Sequence, residues 1–231
     1  MSTIETIDQI KQHYAQSLAI GLILSYCSGY IDAYTYVLRA HSLVAGQTGN
    51  IIFLAVDMAD KGPTITETRL FTLIFFILGV FSISFIDKKF ASSGYVKPLS
   101  LLPCIICCLA IGFLPLSAPN LFVVPPLAFS IGIMTTSFGK VEDIPYNNSF
   151  LTGNIKKGMI AWNGFFFSHN LSQKHTAILY FEITLAFTFG ALCSALLIKV
   201  WGIYTIWLSA LILTLVMLVY LYLLHLNHTH K

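Results

Sequence analysis

Charge is scarce in this sequence: Asp, Glu, Lys and Arg make up 10% of its 231 residues, against 56% hydrophobic and 14% aromatic. A water-soluble globule of this length could not cover itself with so few polar groups, so lipid is the expected surrounding. The short alternating segments of a membrane β-barrel are missing, because the apolar runs are continuous. No basic patch with interleaved aromatics suggests a nucleic-acid partner. There is no His-Glu-x-x-His, no Gly-x-Ser-x-Gly and no Walker-type glycine loop, so neither an enzyme nor a cofactor is expected.

Cysteine offers little more. Cys27, Cys104, Cys107, Cys108 and Cys193 all fall inside apolar runs. That excludes a disulfide framework and makes the Cys-x-x-Cys at Cys104 and Cys107 a packing feature. His225, His228 and His230 cluster in a tail that would bind metal only incidentally, and His169 and His175 lack an evident carboxylate at ligand spacing. No metal site is expected. Residues 1–16 lack a basic start and a small-residue cleavage site, so they read as a short amphipathic cap rather than a secretory signal.

What is present is six apolar runs: Leu18–Leu38, Leu70–Ile86, Leu99–Leu116, Leu121–Phe138, Thr176–Ile198 and Val200–Leu224. Each approaches the roughly 17 to 25 residues that cross a bilayer as a helix. An all-α, polytopic membrane protein with six transmembrane helices is the expected fold. If all six cross, one side collects Lys11, Lys88, Lys89, Lys97, Lys140, Lys156, Lys157, Lys174 and Lys231, and the other Arg39, Lys61, Arg69 and Lys199. That bias puts both termini in the cytoplasm.

The chain also repeats itself. Thr48-Gly49-Asn50 returns as Thr152-Gly153-Asn154, with Gly29 and Gly132 some twenty residues earlier in each half, and Phe76-x-x-Gly79 matches Phe187-x-x-Gly190 in the following span. Residues 17–118 and 119–226 form two three-span units, with 227–231 left as a tail. Three spans per unit force the halves to enter from opposite faces. The runs Asn50–Ala59 and Asn154–Trp162 are too short to cross and fit re-entrant half-helices. Thr and Asn would cap their free N–H groups, and Gly would supply the backbone angles of a tight turn. Two electropositive helix starts would then meet near the midplane.

Asp32, inside the first span among Tyr26, Tyr30, Tyr34 and Tyr36, carries two readings. It either binds a coupling cation or proton, or it accepts hydrogen bonds from the half-helix start and tyrosine hydroxyls without changing charge. Arg39, two turns on, is too distant for an easy pair. Glu182 in the fifth span should make an interior polar contact, and Asp57, at the unfavourable end of its half-helix, needs a lysine partner or an aqueous exit. Lys156 and Lys157 hold the second half-helix near water, as anchors at the cytoplasmic face or, in the alternative reading, as an entry for anions.

The Gly29-x-x-Asp32-Ala33 entry and the Gln47-Thr48-Gly49-Asn50 site, with Thr152 and Gly153 in the second half, resemble the YoaK family of small bacterial inner-membrane proteins, a domain of unknown function. The resemblance covers nearly the whole chain and implies a multi-pass plasma-membrane protein. Where members often have Gln-Asn after the second-half glycine, this chain has Met134 and Thr135, which argues against a polar role for the fourth span.

The functional expectation is a transporter or permease of a small solute or ion. Asp32, Gln47, Thr48, Gly49, Asn50, Thr152, Gly153 and Asn154 would form the site, supported by Gly29, Tyr30, Tyr34 and Glu182. A passive channel and a membrane scaffold or regulator are the alternatives; lipid is the surrounding partner, and self-association into a homo-oligomer stays open. Nothing in these residues names the solute.

Overall fold

The computed structural model describes residues 14–60, 63–90 and 93–229. Most of the cap expected over 1–16, Lys61, His230 and Lys231 lie outside them. Among the described residues the regular structure is helical, apart from one hairpin of two two-residue strands. The helices are α1 (Leu18–Leu38), α2 (Gln47–Asp60), α3 (Pro63–Lys89), α4 (Val96–Leu99), α5 (Leu102–Ile111), α6 (Val124–Ser137), α7 (Leu151–Ser168), α8 (Leu171–Trp201) and α9 (Ile206–Thr229). Strands β1 (Lys140–Val141) and β2 (Ile144–Pro145) pair antiparallel between α6 and α7.

Local chemistry places the ends. Ser17 caps α1 through Ile20 N, and the Asn170 side chain caps α8 through Ser172 N at 3.0 Å. His169 takes the left-handed conformation, φ 51°, that turns the chain from α7 into α8. Prolines sit at the starts of α3, α5 and α6, where a missing N–H costs nothing.

Three stretches are long and apolar enough to cross a membrane: Thr66–Lys89, Asn120–Ser137 and Leu171–Leu226. Only 17% of the first is buried inside the protein. Phe81, Phe85, Phe189 and Leu218 are each more than half exposed. In water such a surface would drive aggregation, whereas against acyl chains it is matched. The chain is a helical protein with the exterior of a membrane protein.

The boundaries differ from the expected runs in three places. The run Leu99–Leu116 is not one helix: Pro98 and Pro103 cannot donate to a continuous ladder, and α4 and α5 are separated by a turn in which the Ser100 hydroxyl donates to Lys97 O at 2.6 Å. The last helix starts at Ile206 rather than Val200, because Gly202 bends the backbone at φ 54° and the next residues form a 3₁₀ turn. The short helices are longer than the expected runs, 14 residues for α2, which begins at Gln47, and 18 for α7, which continues through Phe165, Phe166 and Phe167 to Ser168.

Two tight helix pairs organise the interior, α1 against α8 and α3 against α6, while α2 lies along α3 and α7 along α8. Both tight pairs use the same device. A Cβ on Gly29 would strike the Phe187 carbonyl, and one on Gly190 the Tyr26 carbonyl. In the other pair Gly79 faces the Phe129 carbonyl and Gly132 the Phe76 carbonyl. Each crossing is thus closed by two reciprocal glycines, with the contacted carbonyl three residues before the partner glycine. Small residues that let backbones touch are the principal source of helix association where lipid removes the hydrophobic drive.

Gly29→Ala and Gly190→Ala are each expected to destabilise by about 1–3 kcal/mol, because the colliding group is backbone and cannot swing aside. Gly153→Ala, whose added methyl meets open space, should leave the thermal midpoint unchanged or slightly raised, as Ala in a helix is favoured by roughly 0.5–1 kcal/mol. Melting curves of the three variants in one detergent check both.

Candidate functional site

The buried Asp32 side chain reaches past its own helix to the loop before α2. Its Oδ1 accepts hydrogen bonds from Val44 N at 2.8 Å and Ala45 N at 2.9 Å. The carboxylate also lies close to the positive end of α2, which favours the charged form. These are the loop hydrogen bonds of one of the two readings of Asp32, but the tyrosine hydroxyls expected with them take no part. Tyr30 donates to Thr205 O at 3.0 Å and Tyr34 to Ile203 O at 3.1 Å, so both hold the turn between α8 and α9. Residues two apart on a helix point to different faces, which sends Tyr30 and Tyr34 away from the carboxylate.

The Thr-Gly-Asn residues are not caps. They occupy the first turn of each helix, with Gln47 and Leu151 ahead of them. Neither Gly49 nor Gly153 has a positive φ, so no special backbone freedom is used there. Asn50 instead clasps the preceding loop: its Nδ2 donates to Leu43 O at 2.5 Å and its Oδ1 accepts from Leu43 N at 3.3 Å. Asn154 does the same to Asn147, with Nδ2 to Asn147 O at 2.6 Å and Asn147 N to Oδ1 at 3.1 Å. Both clasps span seven residues. Gln47 completes the first through Val44 O at 2.9 Å and the Asn50 amide.

The second loop lacks a carboxylate. The side chain of Asn147 takes over, its Oδ1 accepting from Ser149 N and Phe150 N, both at 2.8 Å, and from the Thr135 hydroxyl at 3.1 Å. Thr135 stands three residues after Gly132, as Asp32 stands three after Gly29. The fourth run therefore does have a polar role, contrary to the expectation drawn from its departure from the family pattern. Asn147 was missed because it lies outside the matched tripeptide; the seven-residue interval back from each asparagine was the available signal.

One turn before Asp32, Ser28 accepts from the Ser149 hydroxyl at 3.1 Å. A single face of α1 thus touches both loops, and the two helix starts come together beside it. They line a cavity of about 770 Å³. Gly29, Asp32, Ala33 and Tyr36 of α1 form one wall, and Phe187, Ala191 and Ala195 of α8 another. Thr48 and Gly49 enter from α2, and Ser149, Phe150 and Thr152 from the start of α7. The lining is mostly apolar, with hydroxyls and one carboxylate as polar points, the character of a small-molecule pocket in size and chemistry.

Of the expected site residues, Asp32, Thr48, Gly49, Thr152 and Gly29 line this cavity. Gln47, Asn50 and Asn154 build the loops behind it, and Gly153 lies beside Thr152 without lining it. Tyr30 and Tyr34 are spent elsewhere. Glu182 is half-buried on α8 and makes no polar contact among the described residues, so the expected interior partner is missing. Other charges find unforeseen partners. Asp57 pairs with Arg69 rather than a lysine, and Arg69 lies 4.7 Å from the Phe53 ring centre. Arg39 is fully buried and donates to the carbonyls of Leu114 and Pro115 after α5, where a cation suits a helix end. His175 meets Glu142 at 2.6 Å across the hairpin, a pairing their 33-residue separation hid. Lys157 donates to Pro145 O at 3.2 Å, tying α7 to β2.

A family model described as "Protein of unknown function (DUF1275)" matches residues 20–219. No curated protein and no solved structure matches the chain. The matched range takes in both loops, both short helices and all the cavity walls.

Asp32→Ala should leave two buried N–H groups without an acceptor, at about 1–3 kcal/mol each. Asp32→Asn keeps the acceptor and should retain most of that stability. Thermal midpoints of the pair measure the difference; equal losses would mean that the charge, not the oxygen, holds the loop.

Proposed function

Because the chain belongs to the DUF1275 family, whose description assigns no activity, we propose from its geometry that it is a bacterial plasma-membrane permease for a small solute, with the α1–α8 cavity as the solute site. One observation carries this reading: the starts of two helices from different halves of the chain, Thr48-Gly49 and Thr152, open onto a single cavity beside Asp32. Free N–H groups and the positive helix ends supply polar recognition inside an otherwise apolar chamber.

The wider architecture is a six-span, 3+3 inverted repeat in which α2 and α7 re-enter from opposite faces. Reciprocal glycines at the α1–α8 and α3–α6 crossings support it, because a two-fold relation between the halves makes a contact of α1 with α8 recur as one of α6 with α3. The equal seven-residue clasps of Asn50 and Asn154 support it too. Both termini lie in the cytoplasm. Arg39 and Arg69, two of the four cations on the opposite side, are buried in structural contacts, which strengthens the lysine bias of the cytoplasmic face. No catalytic role is assigned to any residue.

A passive channel is the second reading, and the occupation of Asp32 favours it: Oδ1 is already held by Val44 N and Ala45 N, so the carboxylate has a purpose without titrating. A scaffold without transport is the third. Purified protein in liposomes separates them. A coupled permease concentrates solute only under an ion gradient and loses that with Asp32→Asn, whereas a channel merely equilibrates it in both forms. Ala195→Trp, which fills the cavity, should abolish either flux; uptake unaltered by it would remove the cavity from the pathway.

A further inference from the structure

A second cavity of about 340 Å³ lies apart from the first, where the end of α3, the single-turn α4, the end of α6 and the start of β1 converge. Asp87, Lys97, Ser137 and Lys140 line it together with Gln16. Among the described residues its charges do not balance: two ammonium groups stand against one carboxylate. Neither lysine makes a hydrogen bond or ion pair within reach among the described residues. Burial pushes the Lys97 pKa down; Asp87 opposes that shift, and repulsion from Lys140 adds to it. Ser137 is 5% exposed, and its hydroxyl has no hydrogen-bond partner among the described residues.

The surroundings say what kind of anion fits. The cavity sits where the long apolar stretch of α3 ends in Asp87-Lys88-Lys89, the depth at which charged residues meet lipid headgroups. Within three residues along the chain of Asp87 or Lys97, Phe90, Tyr95 and Leu99 are 50%, 40% and 47% exposed. An apolar ledge next to a partly buried cationic pocket suits a molecule with a phosphate at one end and acyl chains at the other, and basic pockets between helices at this level are headgroup sites.

We propose that this cavity binds the phosphate group of an anionic phospholipid, with Lys97 and Lys140 contacting the phosphate oxygens and the Ser137 hydroxyl donating to one of them. Asp87 balances one lysine, and the lipid phosphate balances the other. The site is independent of any solute in the central cavity.

The test is the thermal midpoint of the full chain in a neutral detergent, with phosphatidylglycerol, phosphatidylcholine or inorganic phosphate added at matched ionic strength. Phosphatidylglycerol should raise the midpoint by several degrees over phosphatidylcholine, since a ligand of the folded form stabilises it. That increment should vanish in the Lys97→Gln, Lys140→Gln double variant and survive in Lys88→Gln, Lys89→Gln, whose lysines lie outside the cavity. Ser137→Ala should reduce it without changing the midpoint in phosphatidylcholine. Inorganic phosphate reproducing the increment would keep the site and reassign its ligand to the free anion. If neither phosphate source stabilises the protein, or the first double variant keeps the full increment, the proposal is overturned. Should that variant not fold, native mass spectrometry of the Ser137→Ala protein replaces it: undiminished retention of phosphatidylglycerol relative to wild type would count against the site.

Discussion

A chain that turns back on itself inside an apolar protein must find acceptors for the N–H groups it exposes at the turn, and everything around the central cavity follows from how that demand is met. Leaving such donors unpaired in a dry interior costs several kcal/mol each. The loop before α2 gives its donors to Asp32 and the loop before α7 gives its donors to Asn147. Each loop is then clasped by an asparagine seven residues along. With the loops fixed, the helix starts are fixed, and the walls of the cavity with them.

The two solutions are geometrically alike and electrically different. A carboxylate beside α2 neutralises the positive end of that helix, while the amide of Asn147 leaves the start of α7 without an offsetting charge. The cavity is therefore asymmetric in potential although its two contributions are matched in shape. The Thr135 hydroxyl, which steadies Asn147, stands where the first half has Asp32, so the second half needs two neutral side chains for the work one anion does in the first.

The helix crossings answer a related constraint. Lipid gives apolar faces no reason to leave it, so the pairs α1–α8 and α3–α6 are held by backbone approach at Gly29, Gly190, Gly79 and Gly132 rather than by large interlocking side chains. Gly79 and Gly190 were visible as a repeated Phe-x-x-Gly, and Gly29 and Gly132 by their spacing before each Thr-Gly-Asn, yet their meaning was not. Spacing shows that Gly79 and Gly190 correspond; only coordinates show that each meets a carbonyl of the opposite half. The same holds for charge. Asp57 and Arg69, Glu142 and His175, and Arg39 with the carbonyls after α5 are separated along the chain by intervals that follow no helical period.

Composition determined a lipid-matched exterior, because ten charged residues in a hundred cannot clothe a soluble globule, and the continuity of the apolar runs determined that the chain is helical. The repeat determined where the two loops fall, and a lone carboxylate inside the first apolar run drew attention to Asp32. What only tertiary structure decided is the division of labour. Asn50 and Asn154 look like ligands in sequence and act as loop clasps; Tyr30 and Tyr34 look like partners of Asp32 and hold a distant turn; Asn147, unremarked in sequence, accepts from the N–H groups of the loop before α7. A side chain's residue type fixes which hydrogen bonds it can make, but which partner lies within three ångströms is settled by how helices far apart in the chain are brought side by side.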